Sequence, residues 1–147
     1  MYSMLNSPIV IVEDDADDCE ILVRVFKEIG VLNEIRCFSH PLKAIEYLRT
    51  TTEHPFLIIS DINMPVMDGL AFKKVIDLDT TISDKRIPFV FLSTAKENNL
   101  IDESFNLSVQ GYFQKPNDIN SLKEIAHAIV DYWKHGALKH VLPYATT

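Results

Sequence analysis

Three apolar stretches of the chain run directly into polar side chains capable of phosphate or metal chemistry. Ile9–Val12 is followed by Glu13 and Asp14, Phe56–Ile59 by Ser60 and Asp61, and Phe89–Leu92 by Ser93, while the short, less apolar stretch Gly111–Gln114 leads to Lys115. If these stretches are strands of one open α/β sheet, ligands bind outside their carboxyl ends and the side chains converge in one crevice. Glu13, Asp14 and Asp61 crowded together repel one another and force up a carboxylate pKa unless a cation neutralises them. An all-oxygen donor set, with no paired His or Cys, favours a hard ion such as Mg²⁺ over zinc. Asp61 is then the candidate nucleophile, able to form an aspartyl-phosphate once the ion and Lys115 offset the repulsion between carboxylate and phosphate. Phosphoryl transfer depends on positioning and on charge stabilisation at the equatorial oxygens, so the ion, the Lys115 ammonium and the Ser93 hydroxyl form a sufficient set. An acidic run such as Glu13 to Asp18 is also what a helix start favours. The expected neighbourhood of Asp61 gives the first two of these residues a further role.

The elements that must position these groups follow from the apolar periodicity. Ile9–Val12, Phe56–Ile59 and Phe89–Leu92 are continuous apolar runs, as expected for strands buried on both faces. Leu22, Val25, Phe26 and Ile29 recur at helical spacing, and Gly30 supplies a stop. Ile35 and Cys37 alternate with Arg36 and Phe38 in a short strand, after which Ser39 is positioned to cap a helix carrying Ala44, Ile45 and Leu48. Thr50–Pro55 breaks that helix. Further helices are expected over Leu70–Leu78, over Asn98–Leu107, and through Leu122, Ile125, Ala126, Ile129 and Trp133, with an irregular tail from Gly136 to Thr147. Five βα units result, and strands alternating with helices imply a parallel sheet with right-handed crossovers and helices on both faces.

The length of 147 residues and a hydrophobic share of 47% fit one domain with a core of its own. A formal net charge of −7 argues against direct nucleic-acid binding, which needs clustered Lys and Arg. Cys19 and Cys37 lack zinc-site spacing and read as small buried hydrophobes in a reducing compartment. His40, His54, His127, His135 and His140 show no ligand spacing. No basic, apolar leader or long apolar run is present, so membrane insertion is not expected and a cytoplasmic location is.

Taken jointly, Val-Glu-Asp-Asp at 12–15, Asp-Ile-Asn-Met-Pro-Val-Met-Asp-Gly at 61–69, Phe-Leu-Ser-Thr-Ala at 91–95 and Gly-Tyr-Phe-Gln-Lys-Pro at 111–116 closely resemble the receiver domain of two-component response regulators. The resemblance covers about residues 8–134, leaving 135–147 as a C-terminal tail. It implies a flavodoxin-like doubly wound five-stranded sheet of order 2-1-3-4-5, an order of which the chemotaxis receiver is a known example. It makes Asp61 the phosphoacceptor, Asp14 a direct metal ligand, Glu13 a direct or water-mediated one, and Asn63 a ligand through its backbone carbonyl. Ser93 becomes the hydroxyl that follows the phosphoryl group, Lys115 the phosphate-pairing cation, and Tyr112 the aromatic switch residue. The Lys115–Pro116 bond is cis in the family. The implied activity is self-catalysed phosphorylation from a histidine kinase or histidine phosphotransfer protein, with output to a downstream protein or along a phosphorelay. Asn106, Leu107 and Ser108 depart from the Ala-Gly-rich turn that many receivers have there. A haloacid-dehalogenase-type phosphohydrolase shares the nucleophilic Asp but needs a second Asp where Asn63 stands, and a binding-only degenerate receiver would lack some of the chemical positions filled here.

Overall fold

The computed structural model describes residues 7–94, 102–103 and 106–141, with residues 136–141 as backbone alone. In chain order the elements are β1 (Ile9–Val12), α1 (Ala16–Glu28), β2 (Ile35–Phe38), α2 (Pro41–Thr50), β3 (Leu57–Ser60), α3 (Gly69–Leu78), α4 (Thr80–Ser83), β4 (Phe89–Ser93), β5 (Gly111–Gln114) and α5 (Ile119–Val141). The five strands form one sheet of order β2-β1-β3-β4-β5, and every pairing is parallel, as expected.

Period-two alternation distributes the core over both faces of the sheet. Val10, Val12, Ile58, Phe89 and Phe91 pack with Leu48 of α2, Phe72 of α3 and Ile82 of α4. Ile9, Ile11, Leu57, Ile59, Val90 and Leu92 pack on the other face with Phe26 of α1 and Ile129 of α5. The central strands β1, β3 and β4 are buried throughout, whereas β2 and β5 are edge strands and partly open.

Several local expectations need correction. The cap of α2 is His40, whose ring nitrogen accepts from the Leu42 N–H at 3.1 Å, rather than Ser39; Pro41 occupies the first turn, where its missing N–H is harmless. The short α4 was not expected. It exists because Asp79 closes α3 with its backbone N–H and opens the next turn with its side chain, accepting from Thr81 N–H at 3.0 Å. The final helix continues through Val141, well into the span expected to be an irregular tail. Residues 102, 103 and 106 are helical, but most of the helix expected over Asn98–Leu107 lies outside the described residues. Among the described residues, no helix is long and apolar enough to cross a membrane.

The two cysteines lie outside the buried core expected of them. Cys37 is exposed on edge strand β2 and Cys19 is only half-buried on α1, and the fold sets their sulfurs in direct contact.

Candidate functional site

The sheet ladder carries the functional residues one step beyond the strand ends. Val12 lies beside Ser60, and the Asp61 N–H donates to the Val12 carbonyl at 3.0 Å. The Glu13 N–H donates to Phe38 at 3.0 Å, and the Lys115 N–H to Ser93 at 2.8 Å. Backbone pairing between neighbouring strands thus fixes where these side chains begin. Glu13, Asp14 and Asp61 each offer a carboxylate oxygen, and these oxygens lie within 4.8 Å of one another. Glu13 is buried, Asp61 half-buried and Asp14 exposed, so the cluster opens to solvent on one side.

Lys115 completes the group from β5. Its Nζ lies 2.6 Å from Glu13 Oε1 and 3.5 Å from Asp18 Oδ2. Burial pushes the Glu13 carboxyl up to about 7; the Lys115 hydrogen bond and charge oppose the shift and the Asp61 charge reinforces it. Burial disfavours the Lys115 ammonium, but the hydrogen bond and charge of Glu13, aided by Asp61 and Asp18, outweigh it and hold the group above its ordinary value. Three carboxylates facing one ammonium leave an excess of negative charge. The donors are all oxygen and partly open to water, which fits a hard divalent ion that keeps several waters.

The loop after β3 is shaped around Asp61. Its Oδ1 accepts from the Ile62 N–H at 2.7 Å, and Gly69 N–H reaches the Ile62 carbonyl at 2.7 Å. A Cβ on Gly69 would run into the Asp61 carbonyl oxygen and come within 2.8 Å of Ile62 Cα, so the backbone approach requires glycine. Between them, Met67 N–H donates to Pro65 carbonyl at 2.7 Å across Val66, whose φ is 71°; this is a γ-turn in a sparsely populated conformation. Asp68 accepts from Ala71 N–H at 2.8 Å and caps α3.

The structure brings Glu13, Asp14, Asp61 and Lys115 together as the sequence suggested. Ser93 ends β4, fully buried, and is tied to Lys115 through the backbone. Asn63 is exposed in the loop after Asp61. Tyr112 is half-buried on β5 opposite Phe91, the ring centroids 6.4 Å apart. Asp15 is exposed and caps α1, accepting from the Asp17 and Asp18 N–H groups at 2.9 and 3.2 Å. Sequence reasoning missed two participants. Asp18 reaches Lys115 from the first turn of α1, and Val66 holds the positive φ; neither a spacing rule nor a residue preference marks them. The Lys115–Pro116 bond is trans, not cis, since no cis peptide occurs among the described residues.

Comparison with known proteins places this geometry. The family described as response regulator receiver domain matches residues 9–127. The chain is similar to the response regulator Rcp1 of Synechocystis, 28% identical over 130 residues that cover 85% of this chain and 87% of the relative. It is similar, too, to sporulation initiation phosphotransferase F of Bacillus subtilis, 28% identical over 121 residues that cover 82% and 91%. Among solved structures, the phosphorylated cyanobacterial phytochrome response regulator RcpA superposes with a TM-score of 0.78 at 30% identity, covering 87% of this chain and 94% of its own. The Mn²⁺-bound form of Rcp1 gives 0.74 at 26% identity, covering 86% and 94%. The matched span contains every strand of the sheet and every residue of the carboxylate–lysine cluster, and the chain belongs to the response regulator receiver domain family.

Proposed function

We propose that Asp61 is the phosphoacceptor of this receiver and that Glu13, Asp14, Asp61 and the backbone carbonyl of Asn63 hold Mg²⁺ beside it. As a receiver of the two-component class, the domain is a phosphorylation-activated signalling module, a phosphoacceptor rather than a metabolic enzyme. The observation that carries the assignment is the convergence of three carboxylates and one ammonium at the carboxyl ends of β1, β3 and β5. When bound, the divalent ion neutralises the pocket and an oxygen of the incoming phosphoryl group.

The chain's own residues supply the rest. An Asp61 carboxylate oxygen attacks phosphorus in line with the leaving imidazole nitrogen of a histidine kinase or histidine phosphotransfer protein; the P–N bond breaks as the P–O bond forms. Lys115 leaves Glu13 to pair with a phosphoryl oxygen, and the Ser93 hydroxyl follows it. Dephosphorylation by water uses the same groups, so the domain catalyses both reactions on itself. The added charge of about −1.5 to −2 draws the Ser93 loop inward, and Tyr112 changes rotamer to present a different surface to a downstream protein or relay partner. We take residues 8–134 as the receiver unit and 135–147 as an appended tail.

Intact-mass analysis with a small phosphodonor tests this reading. One phosphoryl group is expected in Mg²⁺ and none in excess chelator; equal labelling in both would overturn it.

A further inference from the structure

Cys19 and Cys37 lie on different elements, 18 residues apart in sequence, with Cα atoms 6.6 Å apart and sulfurs in contact. That Cα separation falls inside the range of about 4.4–6.8 Å that a disulfide spans. Cys37 is exposed and Cys19 half-buried, and both line an open groove of about 520 Å³ that Glu13 and Ala16 also line. A small reagent can therefore reach the pair, unlike thiols enclosed in a core.

Both cysteines adjoin the backbone that holds Glu13. Cys19 N–H donates to the Asp15 carbonyl at 3.0 Å, and Asp15 N–H donates to Glu13 Oε2 at 3.3 Å. On the other side, Cys37 pairs in register with Ile11, and the carbonyl of its neighbour Phe38 accepts the Glu13 N–H at 3.0 Å. A covalent link between the cysteines restrains the segment Glu13–Asp15 from both flanks.

We propose that Cys19 and Cys37 are a reversible thiol–disulfide modification site, oxidised by a low-molecular-weight disulfide, whose state tunes cation binding in the neighbouring acidic pocket. The more exposed Cys37 attacks, as thiolate, one sulfur of the reagent and expels one thiol. Cys19 then attacks the Cys37 sulfur of the mixed disulfide and expels the second. The protein dithiol is oxidised by two electrons and one reagent disulfide is reduced to two thiols, its two protons coming from the cysteines. The thiol chemistry stands apart from the proposed function; only the coupling to ion binding rests on that reading.

The test equilibrates the full chain with oxidised and reduced glutathione at graded ratios, traps free thiols by alkylation, and reads intact mass. Mn²⁺ affinity is then measured on the fully reduced and fully oxidised protein and on Cys37→Ser. Two alkyl groups are expected at the reducing end and none at the oxidising end, with no retained glutathione and no covalent dimer. Mn²⁺ should bind on the order of threefold more tightly to the bridged form, because its pocket is pre-organised, while Cys37→Ser should not respond to the ratio. Persistent free thiols, stable glutathione adducts or intermolecular dimers would overturn the site. Bridged and reduced proteins with equal Mn²⁺ affinity would overturn the coupling. Bridging without Mn²⁺ binding in either form would refute the ion-site reading, and the coupling with it, while leaving the thiol site in place.

Discussion

Glu13 is the residue on which the acidic pocket turns, because it holds Lys115 at 2.6 Å while burial raises its own proton affinity. A folded-state pKa raised from 4.5 to about 7 has a definite sign. It favours the folded protein below pH 4.5, and that contribution fades as pH rises through about 7. Ion binding runs the other way, since a proton on Glu13 competes with the cation. Mg²⁺ affinity should therefore weaken several-fold as pH falls from about 8 to about 6, with calorimetric titration as the check. An affinity flat across that window would mean that Glu13 is ionised throughout. Asp14 and Asp15 separate equally clearly. Asp15→Ala removes a helix cap and should lower stability by about 1 kcal/mol with little change in Mg²⁺ affinity. Asp14→Ala should show the reverse, and similar ion affinities for the two variants would mean that the wrong acidic residues have been assigned. The capping role of Asp15 shows only in its bonds to the Asp17 and Asp18 N–H groups, whereas the assignment of Asp14 was open to a reader of the sequence through the family resemblance. The Glu13–Lys115 pairing was not, since 102 residues separate its partners and only the assembled sheet brings them together.

At the scale of elements, the loop from Asp61 to Gly69 shows what local pattern can and cannot convey. Gly69 closes the motif at 61–69, and the structure shows why glycine stands there: its backbone lies against the Asp61 carbonyl. Gly69→Ala should cost about 1–3 kcal/mol through overpacking against backbone that cannot move aside. Thermal or urea unfolding measures this, and a loss within 0.5 kcal/mol would show that the loop relaxes freely. The buried strands were legible because three of them are continuous apolar runs, and α1, α2, α3 and α5 because their apolar residues keep helical spacing. The short α4 was not, because it depends on Asp79 serving two helices at once, with Arg49 held to its carboxylate at 2.7 Å. Cys37 was misread for a related reason. Alternation places it on the same face as Ile35, but an edge strand leaves the end of that face uncovered.

For the whole molecule, the position of the pocket follows from topology. The chain leaves β1 first toward β2 and then returns to the other side through β3, so the strand order reverses at β1 and opens a crevice at the carboxyl ends of β1 and β3. Glu13, Asp14 and Asp61 sit at that reversal, and Lys115 reaches it across β4. The polar residues after each apolar run could thus reveal a shared site before any contact was known. The side-chain burial that sets Glu13 apart from Asp14 could not be read the same way. The central claim, that this crevice places a phosphoryl group on Asp61, is tested most directly by trapping the adduct where it forms. The protein is phosphorylated in Mg²⁺ with a small phosphodonor, reduced with borohydride so that an aspartyl-phosphate becomes homoserine, and mapped by peptide mass spectrometry beside Asp61→Asn. Conversion at position 61 alone, absent from Asp61→Asn, is the expected result; conversion at Asp14 or any other carboxylate, or undiminished labelling of Asp61→Asn, would contradict it.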